Sequence, residues 1–183
     1  MLPSWDLLIT ALFVAIIAFS FIVGKDVTQK IIIATYIAIL ATDGFAYFLY
    51  RMFFAPNAAV NILNFSAAST SLVTLKLFLF VICVVVLTAR GSFTATFLGE
   101  TSGPLGIIVQ GALGFLLAAL IVSTLLVFLS GACFLPDVVC APSNLASYIT
   151  SGSTFAQLLL SKAYVWFMLP AIALVVSSAV SGG

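Results

Sequence analysis

The chain has 183 residues, of which 64% are hydrophobic and 6% charged, with a formal net charge of +1. A soluble domain carries roughly a quarter of its residues as charges, so this composition excludes a water-facing surface and makes the lipid bilayer the solvent and first partner. The near-neutral charge excludes a basic patch for nucleic acid, and the absence of His removes the commonest general base and metal ligand; neither cofactor nor metal is expected.

In lipid every backbone N–H and C=O must be satisfied within the protein, which leaves helices or a closed barrel. Barrel strands alternate polar and apolar residues over about ten positions, whereas the apolar stretches here run for roughly twice that length. The expectation is an all-α, polytopic transmembrane helical bundle forming one domain. It has about five spans, four plus a C-terminal apolar helix, at 7–24, 31–50, 71–89, 105–130 and 155–180.

The first span follows Asp6 without another charge and reaches about 27 Å at ~1.5 Å per residue. No Lys or Arg precedes it, so it reads as a retained helix rather than a signal peptide. A polar link at 25–30 leads into the second span, which makes the first two an antiparallel hairpin. After Arg51, residues 52–70 are mixed, with Pro56 and three Asn (57, 61, 64), and suit a loop or a short interfacial helix. Arg90-Gly91 ends the third span, and Gly103-Pro104 opens the fourth, where Pro suits a first helical turn. Residues 131–154 read as an extramembrane loop with room for one short helix. The last apolar run is interrupted by Lys162 and Pro170, which predicts a tilted or kinked span, or else a re-entrant or interfacial helix.

With five spans, the connections holding Lys25, Lys30 and Arg90 share one side, and Arg51 alone marks the other. The positive-inside rule then puts the N-terminus outside and the C-terminus in the cytoplasm of a multi-pass cell-membrane protein. Cys133 and Cys140 fall in the loop placed outside, where either a disulfide or two free thiols fit the spacing. Cys83, amid an apolar run, reads as a small buried hydrophobe.

Three ionisable residues lie within spans, where each costs on the order of 2.5–3.5 kcal/mol. Counting along the helices puts Asp43, Lys76 and Lys162 at a similar depth, roughly 8–11 Å below the outer surface. One reading pairs Asp43 with a lysine, or lets the lysines snorkel outward; the other has all three line an outward-facing cavity of a conduit or transporter. Gly111, Gly114 and Ala118 share one face of the fourth helix, a close-packing surface for a helix of this chain or of a second copy. Gln110 beside them is placed to hydrogen-bond across helices. Gly99 and Gly103 share the same kind of spacing but flank Glu100 in a loop. Tyr36, Tyr47, Tyr50, Tyr148, Tyr164 and Trp166 are candidates for an aromatic belt, with the surroundings of Trp5 and Tyr50 fitting one best. Asn64-Phe65-Ser66 matches a glycosylation acceptor formally.

Two pieces carry a resemblance. Trp5-Asp6-Leu7-Leu8-Ile9 with an apolar helix ending at Gly24-Lys25, and Gly111-Ala112-Leu113-Gly114-Phe115-Leu116-Leu117, resemble the first and fourth helices of the colicin V production protein (CvpA) family of small bacterial inner-membrane proteins. The similarity covers about a third of the chain. It departs at Phe21-Ile22-Val23-Gly24-Lys25, where the family has a Gly-Phe-x-x-Gly type turn, in the missing basic pair before the fourth helix, and in the added Cys-containing loop and last apolar segment. The resemblance implies a role in envelope homeostasis or export of a small peptide toxin, with no catalytic residues to carry over.

The sequence therefore predicts a noncatalytic inner-membrane protein, of the CvpA-like kind or a subunit of a membrane assembly, whose partners are lipid, other copies or other membrane proteins. The alternative is a small channel or transporter subunit with its polar site at Asp43, Lys76 and Lys162. Catalysis is not expected. No span holds paired carboxylates, and the side chains of Ser161 and Lys162, adjacent in sequence, do not face each other on a helix.

Overall fold

The computed structural model describes residues 5–53, 69–91, 104–131 and 152–181. These form six helices: α1 (Trp5–Val23), α2 (Lys25–Phe53), α3 (Ser69–Arg90), α4 (Pro104–Leu129), α5 (Thr154–Ser161) and α6 (Ala163–Ser181). The fold is an all-α bundle. Helices α1 to α4 are each long and apolar enough to cross a membrane, and α5 with α6 makes a fifth crossing if the bent pair is one span.

Helix α4 is the axle. It packs against all five other helices, and 67% of its apolar window is buried against 17% for α1 and for α3. Its sequence is apolar on every face, the pattern of a helix surrounded by others, whereas α1 and α3 leave an apolar side for lipid. Gln110 in the second turn of α4 bonds to Ser20 near the end of α1 and to Thr28 near the start of α2. Lys76 near the start of α3 lies by Phe128 at the end of α4. Helices α1 and α3 thus run antiparallel to α4, and α2 runs parallel to it.

Two apolar clusters meet on α4. On one side Ile9 and Phe13 of α1 and Ala156 and Leu159 of α5 pack on Ala118 and Val122; on the other, Ile32 and Ile39 of α2 and Phe80 of α3 pack on Leu117 and Phe128. Edge-to-face ring pairs, Phe13 with Phe115 and with Phe155 and Phe80 with Phe128, tie the helices at centroid distances of 5.3, 5.9 and 5.6 Å. Lipid is as apolar as these side chains, so their contribution is close packing rather than escape from water.

The structure corrects the expected boundaries at two places. The polar link at 25–30 is not a loop: α2 starts at Lys25, and Gly24 alone joins it to α1. Gly24 has φ +89°, its N–H closes α1 on the Ser20 carbonyl at 3.0 Å, and its own carbonyl accepts from Thr28 N–H at 3.0 Å as the first bond of α2. One left-handed residue does the work of a turn, which a glycine adopts freely. Gly24→Ala should cost about 1–2 kcal/mol through backbone strain alone, because a Cβ there meets nothing within 4 Å; unfolding of the variant in bicelles checks this.

In the last apolar run the expected break at Lys162 is present, and the correction concerns Pro170 alone. Pro170 is accommodated inside α6, and the break falls at Lys162, where α5 and α6 bend by 64°. Lys162 N–H still reaches the Leu158 carbonyl at 3.2 Å, but its own carbonyl serves Val165 N–H at 2.9 Å, which opens a new helix. A proline strips one donor from the preceding turn, and the Tyr36 hydroxyl from α2 donates to the neighbouring Phe167 carbonyl. The start of α5 is fixed by Ser153, which caps it by accepting from Ala156 N–H at 3.0 Å and donates to the Asp6 carboxylate of α1.

Candidate functional site

The chemistry-bearing side chains within the bundle gather at two levels. At the level where α2 nears its end and α3 begins, Lys76 Nζ lies 3.0 Å from Asp43 Oδ1, with the Asp43 side chain fully buried and that of Lys76 8% exposed. The Lys76 ammonium also sits 6.0 Å from the centroid of the Phe128 ring, close enough for a cation–π attraction that strengthens where water is excluded. The pair joins α2 to α3, and the ring brings in α4.

Of the three residues placed at one depth by the sequence, the structure brings two together. Lys162 stands at the α5–α6 break with its side chain exposed, on helices that pack on α1 and α4. A polar site composed of all three is therefore not assembled.

The second level lies at the α1–α2 turn. Gln110 Nε2 donates to the Ser20 carbonyl, to Ser20 Oγ at 3.0 Å and, more weakly, to Thr28 Oγ1 at 3.3 Å. The two hydroxyls stand 3.0 Å apart, and Thr28 donates to the Gly24 carbonyl at 2.7 Å. This knot forms because α1 and α4 touch almost backbone to backbone. A Cβ on Gly114 would lie 2.9 Å from Ser20 Oγ, and one on Gly111 would lie 3.5 Å from the Phe21 ring. Ala118, fully buried, packs in the cluster with Ile9 and Phe13. The Gly111, Gly114 and Ala118 face is thus occupied within the chain by α1.

Gln29 was not singled out in the sequence, because it lay in the supposed link. It is fully buried, and neither atom of its amide has a hydrogen-bond partner among the described residues. An unmade bond of this kind costs about 1–3 kcal/mol per group. Gln29→Met keeps the volume and removes the amide, so the variant should be more stable than the parent by about 1–3 kcal/mol for each of the two groups relieved; chemical unfolding in bicelles of defined lipid measures it.

Other expectations fall into place around these two levels. Tyr36 and Trp166 are not belt residues: the first reaches across to α6, and the second packs on Phe115 at 6.1 Å, near the middle of α4. Trp5 at the start of α1, Tyr47 and Tyr164 are exposed. Cys83 is half-buried, packs against the cluster of Ile32, Phe80 and Leu117 and also lines a groove between α2 and α3. Cys133, Cys140, Tyr148, Asn64, Gly99 and Gly103 lie outside the described residues, as does the side chain of Tyr50.

A crevice of about 480 Å³ opens between α1 and α3, with Phe19, Ile31, Val84, Val85, Leu117 and Ile121 among its walls. Among the described residues on its walls, Thr88 carries the one hydroxyl. Between the two polar levels the bundle is filled by Ile32, Leu117 and Leu120, all at or below 1% exposure, over the roughly 20 Å of α2 that separates Gln29 from Asp43. The buried hydroxyls of Thr35 and Thr124 in that stretch donate to carbonyls one turn back on their own helices, at 2.7 Å each, while those of Thr42 and Ser123, equally buried, have no hydrogen-bond partner among the described residues. Comparison of the chain with family models, with curated proteins and with solved structures finds no match.

Proposed function

We propose that this chain is a noncatalytic integral membrane protein that acts as a structural subunit of a membrane assembly. The observation that carries the reading is the closely packed, mainly apolar layer between the two polar levels. Asp43 closes on Lys76, Gln110 on Ser20 and Thr28, and Ile32, Leu117 and Leu120 fill the space between. A conduit needs a hydrated path through the bundle, or a helix broken open onto one, and this arrangement supports solid packing instead. The setting we favour is the bacterial inner membrane, in envelope homeostasis or toxin export as the CvpA-like opening and fourth helices imply. The start of α2, with Lys25 and Lys30, lies at the same end of the bundle as Arg90, which supports an orientation with that end in the cytoplasm, the N-terminus outside and the C-terminus inside.

The test is paired. Purified protein in sealed liposomes should pass protons, potassium and chloride no faster than empty liposomes do, and the protein in gently solubilised native membranes should migrate well above its 19.3 kDa monomer. Flux above background that Asp43→Asn abolishes would instead establish the channel or transporter reading.

A further inference from the structure

Helix α5 turns polar groups outward. Its apolar residues Ala156 and Leu159 are buried against α1 and α4, whereas its outer side is mixed: Leu158 is 52% exposed there among the exposed polar residues Thr154, Gln157 and Ser161. Their spacing of three and four residues puts them on one face. Lys162 and Tyr164, both exposed, continue the stripe past the break. Ser161 donates to the Leu158 carbonyl of its own helix at 3.1 Å, which leaves its lone pairs outward.

The stripe runs deep. Ser153 is tied to Asp6 in the first turn of α1, so it marks one end of the spans. Lys162 follows about 13 Å further along the helix. Four residues beyond it, Trp166 packs on Phe115 near the midpoint of α4. Lys162 and its neighbour Ser161 therefore face outward within the span, about one helical turn short of the level of Phe115, while Thr154 lies at the span's end; a charge facing lipid inside a span is costly and is normally matched by a partner.

We propose that the outer face of α5, from Thr154 through Gln157 and Ser161 to Lys162, is the docking surface for a membrane-spanning helix of another protein that carries an Asp or Glu at the depth of Lys162. The proposal rests on the reading of this chain as an assembly subunit and names the surface and the chemistry of its partner. Charge complementarity selects that partner. A second copy docked symmetrically on the same face would set Lys162 against Lys162. Nor does this chain offer a carboxylate to a neighbour at that depth: among the described residues Asp43 is buried with Lys76, Asp6 is bonded to Ser153, and Asp26 lies in the first turn of α2 at the far end.

The experiment places a photoreactive amino acid at Gln157, and at Val81 on the exposed apolar side of α3 as a lipid-facing control, in the full chain in native membranes. The expected result is an adduct from position 157 to one other protein, mapped to a membrane segment bearing Asp or Glu. Lys162→Met should lower its yield roughly three- to fifteen-fold, the range of one interhelical polar contact in lipid. Lys162→Arg should preserve it, and Lys162→Glu should be rescued by changing the mapped carboxylate to Lys. Unfolding of each Lys162 variant, unchanged from the parent, separates lost docking from lost folding. Adducts to lipid alone, as at position 81, or to a second copy, or a yield indifferent to Lys162→Met, would overturn the proposal. In those cases a native mass above the monomer leaves the subunit reading standing, and a monomer removes both.

Discussion

Lys76→Met should destabilise the bundle by about 3–5 kcal/mol, the cost of leaving one buried charge of a pair uncompensated. Methionine keeps the length and apolar stem of lysine, so packing against Phe128 survives and the loss falls on Asp43, whose side chain is fully buried. Asp43→Asn should cost a comparable amount by taking the carboxylate away from the Lys76 ammonium. The double variant, Asp43→Asn with Lys76→Met, should recover most of either loss, because the charges disappear together and a buried pair is often matched by apolar groups of similar volume. Reversible unfolding in bicelles of the four members of this cycle gives the coupling directly. Single-variant losses under about 1 kcal/mol, the range of a solvent-exposed pair, would show that water reaches the site and would reopen the reading of Asp43 as part of a hydrated path.

That pair also shows how far the sequence could be read. Composition and the length of the apolar runs suffice to predict helices and spans, because lipid permits so few alternatives. Depth can be counted as well, at ~1.5 Å per residue, which is how Asp43, Lys76 and Lys162 came to share a level. What counting cannot supply is azimuth around α4. Asp43 and Lys76 face each other because α2 and α3 both pack on α4 from the same side, whereas Lys162 arrives on α5, which packs on α1 and α4. The same gap hid Ser20 and Thr28 as the partners of Gln110, whose bond across helices the sequence did suggest, since the three come from three helices. Thr28 and Gln29 were further masked by their polar neighbours Lys25, Asp26 and Lys30, a run that looks like a loop until Gly24 is seen to make the entire turn. A small polar residue one turn before a glycine, as Ser20 is before Gly24, was the signal available. In the last segment the i, i+3, i+7 spacing of Thr154, Gln157 and Ser161 was equally legible, but only their exposure gives it meaning.

The contact that organises the bundle is where α1 crosses α4, and two glycines one turn apart on α4 should respond in opposite directions. At Gly111 an added Cβ lies 3.5 Å from the Phe21 ring, an ordinary contact, so Gly111→Ala should be neutral or stabilise by up to about 1 kcal/mol through helix propensity. At Gly114 the same atom would lie 2.9 Å from Ser20 Oγ and 3.0 Å from Ser20 Cβ. Ser20 has little freedom to retreat, because its hydroxyl and carbonyl both accept from Gln110. Gly114→Ala should therefore cost about 1–3 kcal/mol as overpacking, and Gly114→Leu more, since α1 must move away and take the Gln110 bonds with it. Ser20→Gly in the Gly114→Ala background removes both close atoms and should restore part of the loss. The recovery is limited by the hydrogen bond to Ser20 Oγ that goes with them, about 0.6 kcal/mol for a typical interhelical polar contact in lipid. Equal stability of the Gly111→Ala and Gly114→Ala proteins in bicelle unfolding would mean that α1 and α4 stand further apart than the Ser20 to Gly114 distance implies. The Gln110 to Ser20 bonds and the register of the whole α1–α4 contact would then have to be redrawn.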